Sequence, residues 1–176
     1  MIISLQVPCK HLFDFVLFAD FSNTIHFILD FSNRAVEAYL ASGFDSSVHE
    51  IEVTIGSDKS KQIISSSLWN IYRGSGSPVT PYLLQSMHMA LEKRLLEIGK
   101  VSDKKNLKEW LIHLLKNTRS ASITAVVASV VLAYPDELFE VATILFKNYE
   151  FYKYDNLRAG SENSAKNLYL DWCWIG

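Results

Sequence analysis

The feature that most constrains the fold is a run of mostly apolar residues behind Ser120, because it offers almost no polar side. Ser120 is a good N-cap residue, and valine, isoleucine and alanine dominate from there to Ala133. A helix of this composition lacks a solvent face, so neighbouring elements must cover it on most sides. A chain that contains such a helix therefore needs several further helices packed around it.

Amphipathic segments before this run supply the predicted neighbours. Thr80 and Pro81 are typical of a helix start, and the apolar residues that follow at helical spacing end before Gly99, a predicted stop. Asn106, with Glu109 three residues later, is the pattern of a capping box that opens the next helix. Leucines and a tryptophan at helical spacing then predict one buried face.

The region 103–158 is predicted to consist of antiparallel helices with very short connections. Pro135 separates the apolar helix from one that starts with two acidic residues, and a last helix spans Tyr149–Arg158. Consecutive pairs that bury their faces on one another form HEAT-like, solenoid-type stacks. No regular sequence period accompanies the pattern, so it predicts an architecture and not a set of sequence repeats.

The first forty residues predict two further helices. One runs from Pro8 to about Asp20, and a second begins with Ser22 as its N-cap. Apolar residues continue at helical spacing to Gly43, which stands where a glycine commonly ends a helix.

A β-hairpin is predicted after the second helix. Polar and apolar residues alternate over residues 50–55, and a turn at Gly56 leads into a returning strand, which places the hairpin at about 48–65. The predicted fold is therefore mainly α, with one helical domain over residues 1–159 that contains this hairpin. An irregular tail is expected over residues 160–176.

Charge and composition narrow the function classes. The 17 basic and 19 acidic residues leave a net charge of −2, which lacks the basic field of a nucleic-acid-binding protein. Aspartates and His26 interrupt the apolar residues 12–31, which argues against a membrane span. Cys9 and Cys173 supply no disulfide framework, and reduced thiols favour a cytoplasmic protein. Protein partners or self-association are expected, without nucleic acid or membrane.

One candidate surface for chemistry comprises Arg73, Gly74, His88 and Glu92. The loop after Arg73 is rich in glycine and serine but has neither the lysine nor the spacing of a P-loop. His88 and Glu92 lie one helical turn apart, so they could form half a metal site or an acid–base pair. A connecting loop and a hydrogen-bonded surface pair are commoner structures. The sequence predicts no catalytic residue, cofactor or metal. The alternative is an enzyme or small-molecule binder that uses the Arg73–Gly76 loop with His88 and Glu92.

Several longer stretches resemble one class of protein. The segments Trp69–Gly74, Pro81–Ser86, Met89–Glu92 and Thr124–Pro135 are similar to parts of very large bacterial ATP-binding proteins of the signal-transduction NTPase (STAND-like) type. The resemblance covers about residues 12–158. Proteins of that type join a P-loop NTPase module to long helical arrays that act as sensors or interaction scaffolds, in some cases in antiviral defence.

The resemblance implies a scaffold fragment that lacks the NTPase module. The chain contains no P-loop and no Walker-B-like acidic strand, so neither ATP binding nor any functional residue carries over. A fragment of a helical array exposes a face that once met another helix pair, which predicts self-association or poor solubility. The tail over residues 160–176 ends in an aromatic stretch with Trp172 and Trp174. It either packs on the helices or is the foreign ending of a truncated reading frame.

Overall fold

A computed structural model describes residues 6–73, 81–101 and 104–160 of the chain. The fold is mainly α with one two-stranded antiparallel hairpin, as predicted. Its elements in chain order are α1 (Gln6–Ala19), α2 (Phe21–Ser42), β1 (His49–Ile55), β2 (Asp58–Ile64), α3 (Ser66–Trp69), a 3₁₀ turn (Ile71–Arg73), α4 (Tyr82–Val101), α5 (Lys104–Asn117), α6 (Ala121–Ala133), α7 (Phe139–Phe146) and α8 (residues 149–160). The predicted tail over 160–176 lies outside the described residues beyond its first residue.

Helix α6 lies at the centre of the packing. Ten of its thirteen residues are buried, because α4, α5, α7, α3 and β2 all contact it. Ser120 caps the helix by accepting a hydrogen bond from the backbone N–H of Ser122 at 3.4 Å. The predicted cap and the predicted burial on most sides are both confirmed. A helix this apolar is stable in water only with such a cover.

Helix α4 packs between α1 on one side and α6 on another. It is consequently buried on more of its surface than its leucine stripe predicts, and Gln85, Ser86 and His88 are buried along with Leu91 and Leu95. Consecutive helices from α4 to α7 contact one another, as stacked helix pairs would. Helices α1 and α4 also contact each other, although they are far apart in sequence. In a simple solenoid each helix pair contacts only its neighbours along the chain, so this contact departs from that architecture.

The hairpin presents one apolar and one charged face. Val53, Ile55 and Ile64 are buried in the main core, while ion pairs join Glu50 to Lys61 and Glu52 to Lys59 on the other face. The two strands pair from His49 opposite Ile64 to Ile55 opposite Asp58. An isolated hairpin is only marginally stable, so its contacts with α5 and α6 are what hold it.

Two buried polar side chains tie β2 to the helices. Gln62 and Thr124 are both fully buried, and the Thr124 hydroxyl donates to Oε1 of Gln62 at 2.7 Å. The Gln62 amide donates in turn to the carbonyl of Leu115 at 3.3 Å. Both ends of the glutamine amide are therefore satisfied inside the core, which is the condition for burying it without a large penalty.

Several predicted helix boundaries differ from the structure. The N-cap of α2 is Asp20 and not Ser22, because the Asp20 carboxylate accepts hydrogen bonds from the backbone and side-chain nitrogens of Asn23. Gly43 has a left-handed φ of 62° after α2, so the predicted stop there is confirmed.

The predicted starts of α5 and α7 also differ from the structure. Asn106 lies inside α5, which already begins at Lys104, so the predicted capping box is wrong. The residues after Pro135 form a turn, and α7 starts later than predicted.

Gly99 does not end a helix, since α4 continues through it to Val101. A Cβ atom at this position would come within 2.5 Å of the Tyr134 ring and 3.1 Å of Leu107. The ring is fixed in place, because the Tyr134 hydroxyl donates to the carbonyl of Leu96 at 2.9 Å and Lys104 lies 3.7 Å above the ring centre. Glycine is therefore required here by close packing between α4 and the end of α6.

Substituting Gly99→Ala is expected to lower the free energy of unfolding by about 1–2 kcal/mol. Overpacking a core typically costs about 1–3 kcal/mol, and the better helix propensity of alanine offsets up to roughly 1 kcal/mol of it. Urea denaturation of the two proteins measures the difference. In a Tyr134→Ala background the same substitution should become neutral or stabilising. An equal loss in both backgrounds would mean that the tyrosine ring is not the cause.

Candidate functional site

The four residues of the predicted candidate surface do not form a described site. Arg73 ends the 3₁₀ turn, and Gly74 with the rest of its loop lies outside the described residues, as does the Arg73 side chain. His88 and Glu92 occupy successive turns of α4, as predicted, but each has a partner on a different helix. The structure thus shows no contact between these two side chains that would make them an acid–base pair.

His88 is a core residue, so the interpretation of it as part of a surface pair is wrong. Its side chain is fully buried, and its Nε2 lies 3.2 Å from the hydroxyl of Ser32 on α2. Nδ1 has no hydrogen-bond partner among the described residues. Burial in these surroundings lowers the pKa of His88 to about 3. The ring is therefore neutral at physiological pH and has no access to solvent or to a solvent-borne substrate.

Glu92 is half-buried between α4 and α6. Its Oε1 accepts a hydrogen bond from the hydroxyl of Ser129 on α6. This hydrogen bond joins the two central helices, α4 and α6.

Two histidines that sequence inspection treated as isolated meet in the structure. The rings of His26 on α2 and His113 on α5 lie 5.0 Å apart, edge to face, and Trp110 contacts His113 at 5.7 Å. Burial, and then the charge of His26, lowers the pKa of His113. Among the described residues no group of three or more histidine, cysteine or acidic side chains could hold a metal ion. The pair is thus a packing contact between two helices.

Helix α1 carries an apolar face that nothing in the described chain covers. Leu12, Phe15 and Val16 follow the spacing of one helix face, and Phe18 extends it by a turn. All four are exposed, with Phe15 at 70% and Phe18 at 71% of their possible surface. The opposite side of α1 is already buried through Leu17 and the contact with α4. We call these four side chains the α1 face.

Charges of both signs border the α1 face. Lys93 of α4 forms an ion pair with Asp14 at 2.7 Å, and Arg94 lies 5.0 Å from the centre of the Phe18 ring. Asp20 follows the end of α1 and keeps a lowered pKa because Asn23 donates hydrogen bonds to its carboxylate. An apolar patch with a mixed polar rim is the usual anatomy of a protein-binding surface.

A groove opens on another side of the molecule, where α6, α7 and α8 meet. Its volume is about 180 Å³, and its lining is mostly apolar. The floor is formed by Trp69, Ala128, Ala142, Leu145 and Phe151, which are buried. Leu132, Phe146 and Tyr152 stand around the opening as exposed side chains. A cavity of roughly 150 Å³ with such a lining is large enough for a benzene ring. We call it the α6–α8 groove.

The polar edge of the α6–α8 groove is set by Asp155 on α8. Its Oδ1 accepts hydrogen bonds from the Arg158 guanidinium at 2.7 and 3.1 Å and from the Trp69 indole N–H at 3.4 Å. Trp69 also stacks on Phe151, with ring centres 5.4 Å apart. These contacts hold the start of α8 against α3, so the groove has rigid walls.

Sequence inspection missed both surfaces as sites. The sequence pattern alone did not single out the exposed side chains of α1. The groove is lined by residues spread from Trp69 to Asn156, without any local motif, so no sequence signal indicates it.

Comparison with protein families and curated proteins identifies no family for this chain. Across the described residues, no helix is long and apolar enough to cross a membrane. No protein-family model matches this chain, and a search of curated proteins finds no match either.

Proposed function

We propose that this chain is a non-enzymatic helical scaffold that acts in the bacterial cytoplasm through protein–protein contact. We further propose that it derives from the helical array of a large STAND-like ATP-binding protein of the kind that serves in antiviral defence. The observation that carries the proposal is the α1 face, four large apolar side chains left in solvent on one helix. Exposed apolar patches of this kind on otherwise well-packed proteins mark interaction sites.

The residues that carry the family resemblance support a scaffold role. Trp69 and Tyr72 are fully buried, and the resembling parts of α4 and α6 contact each other and the 3₁₀ turn in the main core. Residues in such positions are constrained by packing. A similarity carried by them therefore bears on architecture, and it transfers no catalytic group to this chain.

The occupant of the α1 face that we propose is a second copy of this chain. Its surface is almost wholly apolar, which is typical of contacts between identical subunits. Charges of both signs border the face, with Asp14 and Asp20 as acids and Lys93 and Arg94 as bases, so a two-fold arrangement can place acids of one copy near bases of its partner. The net charge of −2 opposes such an association only weakly.

The size of the face sets the expected strength of association. At about 150–250 Å² per aromatic residue, the four side chains present on the order of 400–500 Å² of apolar surface. Two copies would then bury on the order of 800–1,000 Å², which is below the roughly 1,200–2,000 Å² of stable complexes. Self-association through this face alone should therefore be weak and reversible.

Sedimentation of the full chain over a range of concentrations tests this proposal. The average mass should rise with concentration, and Leu12→Glu with Phe15→Glu should weaken association at least about tenfold, since each loses a buried apolar contact. Phe44→Glu is the matched control. Phe44 is 78% exposed and follows the far end of α2, a helix about 33 Å long that starts directly after α1. A single-chain mass at all concentrations would contradict self-association.

A separate assay tests the non-enzymatic part of the proposal. The purified chain should show no ATP hydrolysis above that of a mock preparation. Hydrolysis that is abolished by Glu92→Gln, in a variant with unchanged unfolding behaviour, would favour the alternative of an enzyme that uses the Arg73–Gly76 loop with His88 and Glu92. Loss of a hydrolysis signal during purification would instead identify a contaminant.

A further inference from the structure

We propose that the α6–α8 groove is the docking site of this chain's own aromatic segment, Leu168–Ile175. The groove is concave and apolar, with exposed Leu132, Phe146 and Tyr152 around its mouth. An apolar side chain, up to the size of an aromatic ring, would fill it. The proposal concerns a different surface from the α1 face and does not depend on it.

The segment has the composition that the groove requires. Residues 168–175 read Leu-Tyr-Leu-Asp-Trp-Cys-Trp-Ile, with a single charged side chain and three aromatic rings. Tryptophan combines a large apolar surface with one N–H donor. Asp155 at the polar edge of the groove already accepts an indole N–H, that of Trp69, and a carboxylate can accept from more than two donors.

The connection is long enough for the segment to reach. Asn156 lines the groove and lies one helical turn before Gly160, about 6 Å along α8. The seven residues 161–167 are polar except for one alanine, and they can span up to about 23 Å. A polar spacer of this length allows the chain to reverse direction after α8 and return along its exposed side.

Tethering favours this occupant over a free partner. A segment joined to the groove by a spacer of seven residues is present at a high effective concentration, in the millimolar range for short flexible links. A free peptide or a second copy must overcome that competition. Docking would also cover the rim residues Leu132, Phe146 and Tyr152, which otherwise remain in solvent.

Photo-crosslinking in the full chain tests the inference. A benzophenone amino acid replaces either Phe146, which lines the groove, or Phe139, which does not. The two are a matched pair on α7, 68% and 71% exposed. Position 146 should crosslink to residues 168–175 within one chain, several times more than position 139. Equal yields at the two positions, or crosslinks from 146 to other parts of the chain only, would overturn the proposal.

Crosslinking in a mixture of ¹⁵N-labelled and unlabelled chains distinguishes docking within one chain from docking of the segment of a second copy. Crosslinks between labelled and unlabelled chains would show that the segment of a second copy fills the groove, which contradicts docking within one chain.

A double-mutant cycle on stability provides an independent check. Trp172→Ser with Trp174→Ser should lower the unfolding midpoint, Phe146→Glu should lower it too, and the combination should lower it no further. Additive losses would show that the two sites do not contact each other.

Discussion

Lowering the pH from 6.5 to about 4.5 is expected to reduce the free energy of unfolding by about 2 kcal/mol through His88 alone. The folded pKa of this ring is about 3 because it is fully buried, while its ordinary value is 6.5. Between these values the unfolded chain binds a proton that the folded chain excludes. The His88 contribution is complete well above pH 6.5, begins to fall near pH 6.5, and then falls by up to about 1.4 kcal/mol per pH unit as the solution is acidified.

Most of the carboxylate contributions are lost below the window from pH 6.5 to 4.5. The pKa values of Asp20, Asp45, Glu50 and Asp58 are lowered from 3.8 or 4.5, with hydrogen bonds the main cause in three of them. The contributions of the aspartates are therefore lost mainly below pH 4.5, while that of Glu50 begins to fall near the lower end of the window. In Asp45 burial opposes the hydrogen bonds from Ser47 that lower the value. The lowered pKa of His113 acts in the same direction as that of His88.

Urea unfolding of wild type and His88→Gln at several pH values measures the slope. The glutamine leaves a polar atom near the Ser32 hydroxyl and removes the titrating group. We expect it to be less stable than the wild type at pH 7 and much less sensitive to acid. His113→Gln is the control, and it should remove a smaller part of the slope because that ring is less buried. A wild-type slope retained in His88→Gln would show that another group is responsible.

The sequence was most informative where one element's own composition decides its environment. The apolar residues behind Ser120 predicted a helix covered on most sides, and α6 is that helix. The alternation over residues 50–55 predicted a half-buried strand, and β1 buries Val53 and Ile55 as expected. In both cases the relevant information lies within a dozen neighbouring residues, so no knowledge of distant contacts is needed.

Predictions failed where a distant residue determines the outcome. Gly99 has the sequence signature of a helix end, but the Tyr134 ring thirty-five residues later explains the glycine. The spacing of His88 and Glu92 places them on one helix face, but His88 contacts a side chain of α2 and Glu92 contacts one of α6. The sequence also does not indicate which side of α1 stays exposed, because that depends on which helices pack against it. Function depends on just such non-local arrangements.

Replacing Trp69 by alanine is expected to lower the free energy of unfolding by about 3–5 kcal/mol, the usual cost of removing a large ring from a core. The side chain is fully buried, stacks on Phe151 and donates its indole N–H to Asp155. Its loss leaves a cavity continuous with the α6–α8 groove. It also removes the contacts that hold α8 against α3, so the amides of residues 150–158 should exchange with solvent faster than those of α4.

Trp110→Ala is the matched control for this prediction, because it removes a ring of the same size from a different place. Trp110 is half-buried on α5 and packs edge to face on Phe21 at 5.0 Å. Its removal should cost less and leave hydrogen exchange in α8 unchanged. Trp69→Phe keeps the stacking on Phe151 and loses only the hydrogen bond to Asp155, worth about 1 kcal/mol, with some packing. If amide hydrogen exchange in α8 stayed at the wild-type rate in Trp69→Ala, other contacts would hold α8 against α3. Trp69 would then contribute only to the packing of the core.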